Sequence, residues 1–407
     1  MNDLHARIKT PPRIPTFSTR LLENRAVTAF LAKVGLRLSQ AKGGPFRFGK
    51  TIIAARHADV SELLHRDLDF LIVPINAARI EAVNGGPFIL GMDRSATLIK
   101  ERGALYSALA QMDLAALETR IRTEAQQRLE AMRPRFDAIA DYARPVATST
   151  AKAVFGIAPE DEALFADAVR AIFAHTFLNL GNDSVVEARA LAAAPLMQDW
   201  FSAEIAKRRA ANALGDDLMG HLLRQEKLDD DSIRRTLGGM LVGSIDTTAS
   251  TFARIFCVVA EDKMLAAQMI ADWRKGDDIY GLCLDTLRRW PHNPILLRQA
   301  AADTTLGGTA IRAGDRVVGW TEAAMQDPDA FPDPERILPD RPMAPYLHFG
   351  AGLHPCAGRS INAIQIPTLL GILLDAGAKP NAALRWAGPF PDGLPVRISE
   401  KRPDRGA

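Results

Sequence analysis

The sequence predicts a mainly α-helical chain with small β portions, folded as a single large domain. Helical periodicity runs almost unbroken over residues 95–225. The β-like runs are short, at 46–55, 296–300 and 304–318. No shift in composition marks a linker between halves. At 407 residues, with 47% apolar and 24% charged side chains, the chain is long enough to bury a sizeable core. A mean hydropathy near zero excludes both a disordered polymer and a multi-span membrane protein.

Residues 1–20 read as an N-terminal extension. Pro11, Pro12 and Pro15 and several basic side chains break it, which leaves neither a signal-peptide core nor a membrane anchor. An amphipathic helix is expected at 22–39, then the first β-like run and a short helix at 59–66. Residues 67–93, with Pro74 and Asn84-Gly85-Gly86-Pro87, read as an irregular loop that packs Ile, Val and Ala against something. The helical array is punctuated at Pro134, 156–159, 181–183 and 215–217. The acidic run Asp229-Asp230-Asp231-Ser232 supplies an N-cap and favourable dipole charge for one long helix reaching about residue 260. Asp246 and Arg254 interrupt its apolar stretch, so it reads as a buried helix and not a membrane span. Helices at 265–275 and 278–290 follow, the second stopped by Pro291. Beyond the later β-like runs lie a proline-rich meander at 326–345, a glycine-rich segment at 348–358, an apolar helix at 359–374 and a tail of small β elements.

Fifty Lys and Arg against forty-eight Asp and Glu leave a net charge of +2, so no global field favours nucleic acid or an anionic membrane. Three cysteines, Cys257, Cys283 and Cys356, are too few and too odd in number for a secreted disulfide scaffold. A reducing, cytoplasmic location is expected. Cys257 and Cys283 sit in apolar helical contexts and read as core residues, as does His175 on an apolar helix face.

The most specific segment is Phe349-Gly350-Ala351-Gly352-Leu353-His354-Pro355-Cys356-Ala357-Gly358. Cys356 falls between a glycine-kinked loop and the start of a helix, where backbone N–H groups favour a thiolate, either as nucleophile or as metal ligand. Gly350, Gly352 and Gly358 would let the backbone approach a large flat ligand. This segment resembles the haem-binding loop of the cytochrome P-450 superfamily. The resemblance implies the P-450 fold, residues 21–407 as the haem-thiolate domain, and haem b with Cys356 as the axial iron ligand. It also implies that Phe349 shields the sulfur and that N–H groups near Ala357 and Gly358 tune it, while His354 contacts a haem propionate.

Other marks of the family recur in order. In Gly243-Ser244-Ile245-Asp246-Thr247-Thr248, an acid and an alcohol inside an apolar helix are costly unless they have partners or a task. Two local partners would suffice, a carbonyl for Thr247 and an arginine for Asp246. The segment resembles the oxygen-activation segment, which implies that Asp246 and Thr247 relay protons and that Gly243 leaves room for dioxygen. Ser244 stands where glycine is common. In Asp285-Thr286-Leu287-Arg288 the charges share a helix face at i and i+3. This resembles the family's Glu-x-x-Arg with a shorter acid, and Arg336 in Pro334-Glu335-Arg336 matches the third member. Arg298 matches the propionate-binding arginine, for which a guanidinium fork is suited. After Met92-Asp93 the usual propionate positions hold Thr97 and Glu101, leaving Arg102 as the candidate and Lys100 as its alternative.

The function implied is a bacterial-type monooxygenase that inserts one atom of O2 into an apolar aliphatic, fatty-acyl or terpenoid-like molecule. Electrons would pass from NAD(P)H through a reductase and a ferredoxin or flavodoxin-like donor, docked near Arg359, Lys100 and Arg102. Substrate would meet Phe70, Ile72, Val73, Ile75, Phe88-Ile89-Leu90, Ile245 and Leu296. Two alternatives stand beside it. A peroxide-driven peroxygenase carries Arg-Pro in place of the acid–alcohol pair, so Asp246-Thr247 argues against it. A haem-binding protein without turnover is kept open by Glu101 and Asp285.

Overall fold

Side-chain caps decide where many of the described helices begin. Asn24, Asp113, Asp161, Asp183, Asp217, Asp229 and Asp262 each accept a hydrogen bond from a first-turn N–H, satisfying donors that the helix itself leaves open. A computed structural model describes residues 2–9, 24–179, 181–387 and 390–398. Within it the chain divides into two compact units. A helical unit comprises Met1–Arg13, Asn76–Ala253 and Ala357–Ala407, and a mixed unit comprises Ile14–Ile75 and Arg254–Cys356. Among the described residues no helix is long and apolar enough to cross a membrane.

In the helical unit the expected array is present, from Ala96–Leu109 and Leu114–Met132 through Arg144–Phe155 and Glu162–Phe173 to Ser184–Ala211. The apolar helix Arg359–Asp375 packs on Leu114–Met132. The fully buried Tyr142 donates its hydroxyl to the Leu369 carbonyl at 3.0 Å and tilts against Phe252. A three-stranded antiparallel sheet of Arg135–Asp137, Pro395–Ile398 and Ala378–Pro380 holds the tail to this unit. Near the start of the chain, Asn2–Ile8 is a helix whose Ile8 is fully buried, with His5 hydrogen-bonded to Asp167 at 2.8 Å. The rest of the expected extension, from Thr10, and Leu22 of the next expected helix lie outside the described residues.

In the mixed unit a five-stranded sheet runs Phe46–Phe48, Thr51–Ala54, Arg316–Gly319, Leu296–Ala300, Phe70–Leu71. All its pairs are antiparallel except Thr51–Ala54 with Arg316–Gly319, where Thr51 faces Arg316. Ile52, Leu63, Phe70, Val317 and Phe331 form its core. The expected β-like run 304–318 is a hairpin, Thr304–Leu306 with Thr309–Ile311, turned by Gly307 and Gly308 at positive φ, followed by a separate strand. The proline-rich meander contains neither helix nor strand, as expected.

Two segments differ from the sequence reading. Residues 67–93 contain a strand and the helix Val73–Asn84. Pro74 sits in its first turn, where a missing N–H costs nothing, so it starts the helix instead of preventing it. The single long helix expected to reach residue 260 is two helices, Asp230–Val242 and Asp246–Glu261.

Candidate functional site

The cysteine loop is built within the mixed unit. Gly350 and Gly352 have φ of 65° and 67°, a left-handed conformation that L side chains rarely adopt. A Cβ on Gly352 would lie 1.9 Å from the Leu64 carbonyl oxygen, and one on Gly350 2.9 Å from that of His354. These two glycines are therefore required by backbone packing inside the unit, whereas the sequence reading assigned them to ligand approach. Gly358, at φ −79°, is an ordinary N-cap of Arg359–Asp375. The Cys356 N–H donates to the Phe349 carbonyl at 2.7 Å and closes the loop. Cys356 is half-buried, as are Phe349 and His354, and Phe349 sets its ring edge-on to His348. The other two thiols behave as core residues: burial pushes Cys257 up to about 12 and raises Cys283 further, so both stay protonated.

Beneath the loop lies a saturated carboxylate. Asp285 and Arg288 are both fully buried and pair at 2.6 Å. Asp285 Oδ1 also accepts from the Tyr346 hydroxyl at 3.0 Å, and Oδ2 accepts from the Leu338 N–H at 2.7 Å and from Arg341 Nε at 3.1 Å. Burial alone would raise the carboxyl, but Arg288, the Leu338 N–H and Arg341 outweigh it and hold it below the usual range. The third member of this network is thus Arg341 and not Arg336. Arg336 is exposed and contributes its main-chain carbonyl, which accepts from Arg288 and from Arg341, each at 3.0 Å. His348 donates Nε2–H to the Leu284 carbonyl at 2.9 Å and stacks on Tyr346; burial pulls its pKa down to about 4, so it is neutral. Arg298 is buried in the middle of the five-stranded sheet, opposite Val317, with Nη1 donating to the Leu297 carbonyl at 2.8 Å.

In the helical unit, Gly243, Asp246 and Thr247 share one turn at the helix break. Hydroxyls take up the carbonyls there: Ser244 bonds Leu241 at 2.7 Å, Thr248 bonds Ser244 at 2.7 Å, and Thr247 bonds Gly243. Thr248 also reaches Asn362 Oδ1 at 3.3 Å. A run of three hydroxyls around Gly243 therefore makes a break affordable within an otherwise helical sequence. Gly243 is exposed and Thr247 half-buried, while a Cβ on Gly243 would meet nothing closer than 3.8 Å. Asp246 is buried. Its Oδ1 accepts from Arg144 at 3.2 Å and Arg170 at 3.1 Å, and both arginines also hold Asp392, at 3.0 and 2.7 Å. Burial lowers the Arg170 pKa, yet Asp246 and Asp392 outweigh it and leave it raised. Asp246 Oδ2, by contrast, is buried with no hydrogen-bond partner.

Arg102, on Ala96–Leu109, is half-buried with its guanidinium 5.3 Å from the Tyr106 ring centre. Its neighbour Glu101 turns inward to Arg235 at 3.0 Å, and burial raises its pKa against that arginine. Arg144, Arg170, Asp392, Arg341 and Tyr346 escaped sequence reasoning, since each meets its partner across a separation no local motif encodes. His175 is buried beside Asn179, as a core histidine.

The cytochrome P450 family model matches residues 283–376, the span holding the Asp285 network and the cysteine loop. Cytochrome P450 109 of Bacillus spizizenii is 29% identical over 320 residues, covering 74% of this chain and 77% of that one. The structure superposes on P450 EryK of S. erythraea, solved as a mutant with erythromycin B, with a TM-score of 0.77 over 94% of this chain and 99% of that one at 24% identity. The chain is similar to cytochrome P450 proteins in sequence and in fold. Among its P450 relatives, cyclooctat-9-en-7-ol 5-monooxygenase of Streptomyces melanosporofaciens is 31% identical over 183 residues, 38% of this chain and 40% of that one. By that likeness the chain is an oxidoreductase of the monooxygenase class that uses haem b, with NAD(P)H electrons supplied through redox partners. The sulfur chemistry fits the group: desolvation keeps Cys257 and the buried Cys283 protonated, and Cys356 is half-buried on a loop that fixes its backbone N–H.

Proposed function

We propose that this P450 inserts one oxygen atom from O2 into an apolar small molecule, with Cys356 as the thiolate that holds haem iron. Bound haem supplies the oxygen-activating chemistry. The protein's residues supply position and protons. Phe349 covers the sulfur side, and Arg298, His354 and Arg102 bind the propionates. Gly243, which carries no side chain, leaves space on the oxygen side. Thr247 holds a proton donor there, and Asp246 passes protons inward through its unpartnered Oδ2. The observation that carries this reading is that spare carboxylate oxygen: Arg144 and Arg170 secure Oδ1 and leave Oδ2 able to take up a proton or a water.

Residues 21–407 act as one haem-thiolate domain in this reading, in a reducing cytoplasm that keeps Cys356 reduced. The electron donor is a ferredoxin or flavodoxin-like protein with its reductase, recognised by Arg359, Lys100 and Arg102. The substrate is aliphatic, fatty-acyl or terpenoid-like. Phe88 and Ile89 are buried, and the Phe88 ring lies so close to Gly239 that a Cβ there would be 2.3 Å away, so they shape the substrate region from beneath its surface. Supplying ferredoxin, reductase and NAD(P)H, or peroxide alone, against a panel of apolar substrates tests the reading. Product is expected with O2 and electrons, and Thr247→Ala is expected to keep the spectrum while diverting electrons to peroxide. Product from peroxide alone, or unchanged coupling in Thr247→Ala, contradicts it.

A further inference from the structure

The helix Arg25–Lys42 of the mixed unit turns its large apolar side chains outward. Its buried residues are Ala32, Gly35, Leu36 and Ser39, three of them small. Ala32 and Leu36 cluster with Ala55, Ala323 and Trp320, and the approach is so close that a Cβ on Gly35 would lie 2.4 Å from the Trp320 ring. On the other side Phe30 is 64% exposed and Leu38 54%, with Leu31 and Val34 exposed as well. At about 100° per residue these four form one stripe, with Val27 and Ala41 in the same sector and no polar side chain inside it. A helix that only covered a core would bury its large residues and turn the small ones outward. Apolar side chains exposed singly are ordinary, whereas an unbroken stripe along most of a helix marks a surface with a task.

Charge on the same helix says what the stripe faces. The helix carries Arg25, Lys33, Arg37 and Lys42 and no acidic residue. Glu261 holds Arg25 and Glu335 holds Lys33. Arg37 and Lys42 flank the stripe on opposite sides, both are exposed, and neither pairs with an acid among the described residues. The chain then enters strand Phe46–Phe48, which packs against the helix and ends on Phe48, 79% exposed and followed closely by the exposed Lys50.

An apolar centre with cationic margins is complementary to a lipid interface, where the acyl boundary takes up the stripe and anionic headgroups meet the flanking cations. A second copy of the chain fits less well. A two-fold contact through this face would set one acid-free basic helix against another, and four side chains offer far less than the about 800 Å2 per partner of a stable interface. We propose that Arg25–Lys42 is a peripheral docking surface for an anionic lipid bilayer, lying in the interface plane with Phe30, Leu31, Val34 and Leu38 below the headgroups and Arg37 and Lys42 among them. Such binding is reversible and needs no spanning segment. The near-balanced charge of the whole chain is no obstacle, since the attraction acts only within a Debye length of the patch. Docking of this kind holds the protein beside the phase in which apolar molecules concentrate.

The test is sedimentation of the haem-loaded full chain with vesicles of equimolar phosphatidylglycerol and phosphatidylcholine, or of phosphatidylcholine alone. The unsubstituted protein is expected to bind the anionic vesicles at least about tenfold more tightly, and less so as salt is raised. The double substitution Phe30→Gln with Leu38→Gln is expected to weaken that binding about tenfold or more. Arg37→Gln with Lys42→Gln is expected to bring anionic vesicles down to the level of neutral ones. As a measurement on a variant that keeps the stripe apolar, Phe30→Trp is expected to add tryptophan emission that moves to shorter wavelength when anionic vesicles are present. No binding to anionic vesicles, equal binding to both kinds, binding that survives loss of Phe30 and Leu38, or no emission shift at Trp overturns the proposal. So does a dimer in analytical ultracentrifugation that the Phe30 and Leu38 substitutions dissolve while vesicles go unbound, since the occupant is then a second copy.

Discussion

Asp246 and Asp285 are both buried aspartates held by arginines, yet they are finished differently. Asp285 has two partners on each oxygen, drawn from two arginines, a tyrosine and a main-chain N–H. Asp246 has two arginines on one oxygen and nothing on the other. A fully satisfied buried charge stabilises and cannot move without leaving its partners unpaired, whereas a half-satisfied one keeps an acceptor in reserve. The difference marks the Asp285 network as an anchor of the cysteine loop, and it gives the Asp246 network the open oxygen that the proposed proton path uses.

The largest effect should come from Asp285→Asn. Arg288, fully buried, and Arg341 would lose their counter-charge, and a loss of about 3–5 kcal/mol is expected in urea unfolding. A loss under about 1 kcal/mol would break the comparison. Acid should weaken the same region next. His348 titrates near 6.5 when unfolded but is pulled to about 4 by burial in the fold. The unfolded chain therefore binds the proton first, so stability is complete above about pH 6.5 and declines as pH falls toward 4, by about 3 kcal/mol from this group. Unfolding midpoints measured between pH 7 and pH 4 should show this slope, and His348→Phe should flatten it.

Asp246→Asn should reverse the pattern of Asp285→Asn. Asp392 still faces both arginines, so stability should fall by only about 1–2 kcal/mol, while turnover falls about a hundredfold. Equal stability losses at the two aspartates would erase the distinction. The smallest effect is expected at Arg336→Ala, within about 0.5 kcal/mol of the unsubstituted protein. Arg341→Ala should cost clearly more in the same unfolding measurement, because its guanidinium bonds Asp285.

The fold class, most element positions and the cysteine loop were legible because they rest on local signals: periodicity, caps and six fixed positions in ten residues. Arg336 misled because chain spacing alone cannot show which of two nearby arginines turns toward a shorter acid. The break at Gly243 was hidden because the apolar pattern continues across it, and the hydroxyls that support it also occur in unbroken helices. Asp392 meets Asp246 through arginines drawn from distant helices, and no spacing rule connects them.

The thiolate of Cys356 is the centre of the account, and the carbon monoxide difference spectrum of the reduced protein tests it most directly. The red-shifted Soret band of thiolate-ligated haem is predicted for the unsubstituted chain, with its loss in Cys356→Ser and retention in Cys257→Ser. Absence of that band from the unsubstituted chain, or its persistence in Cys356→Ser, would contradict the account.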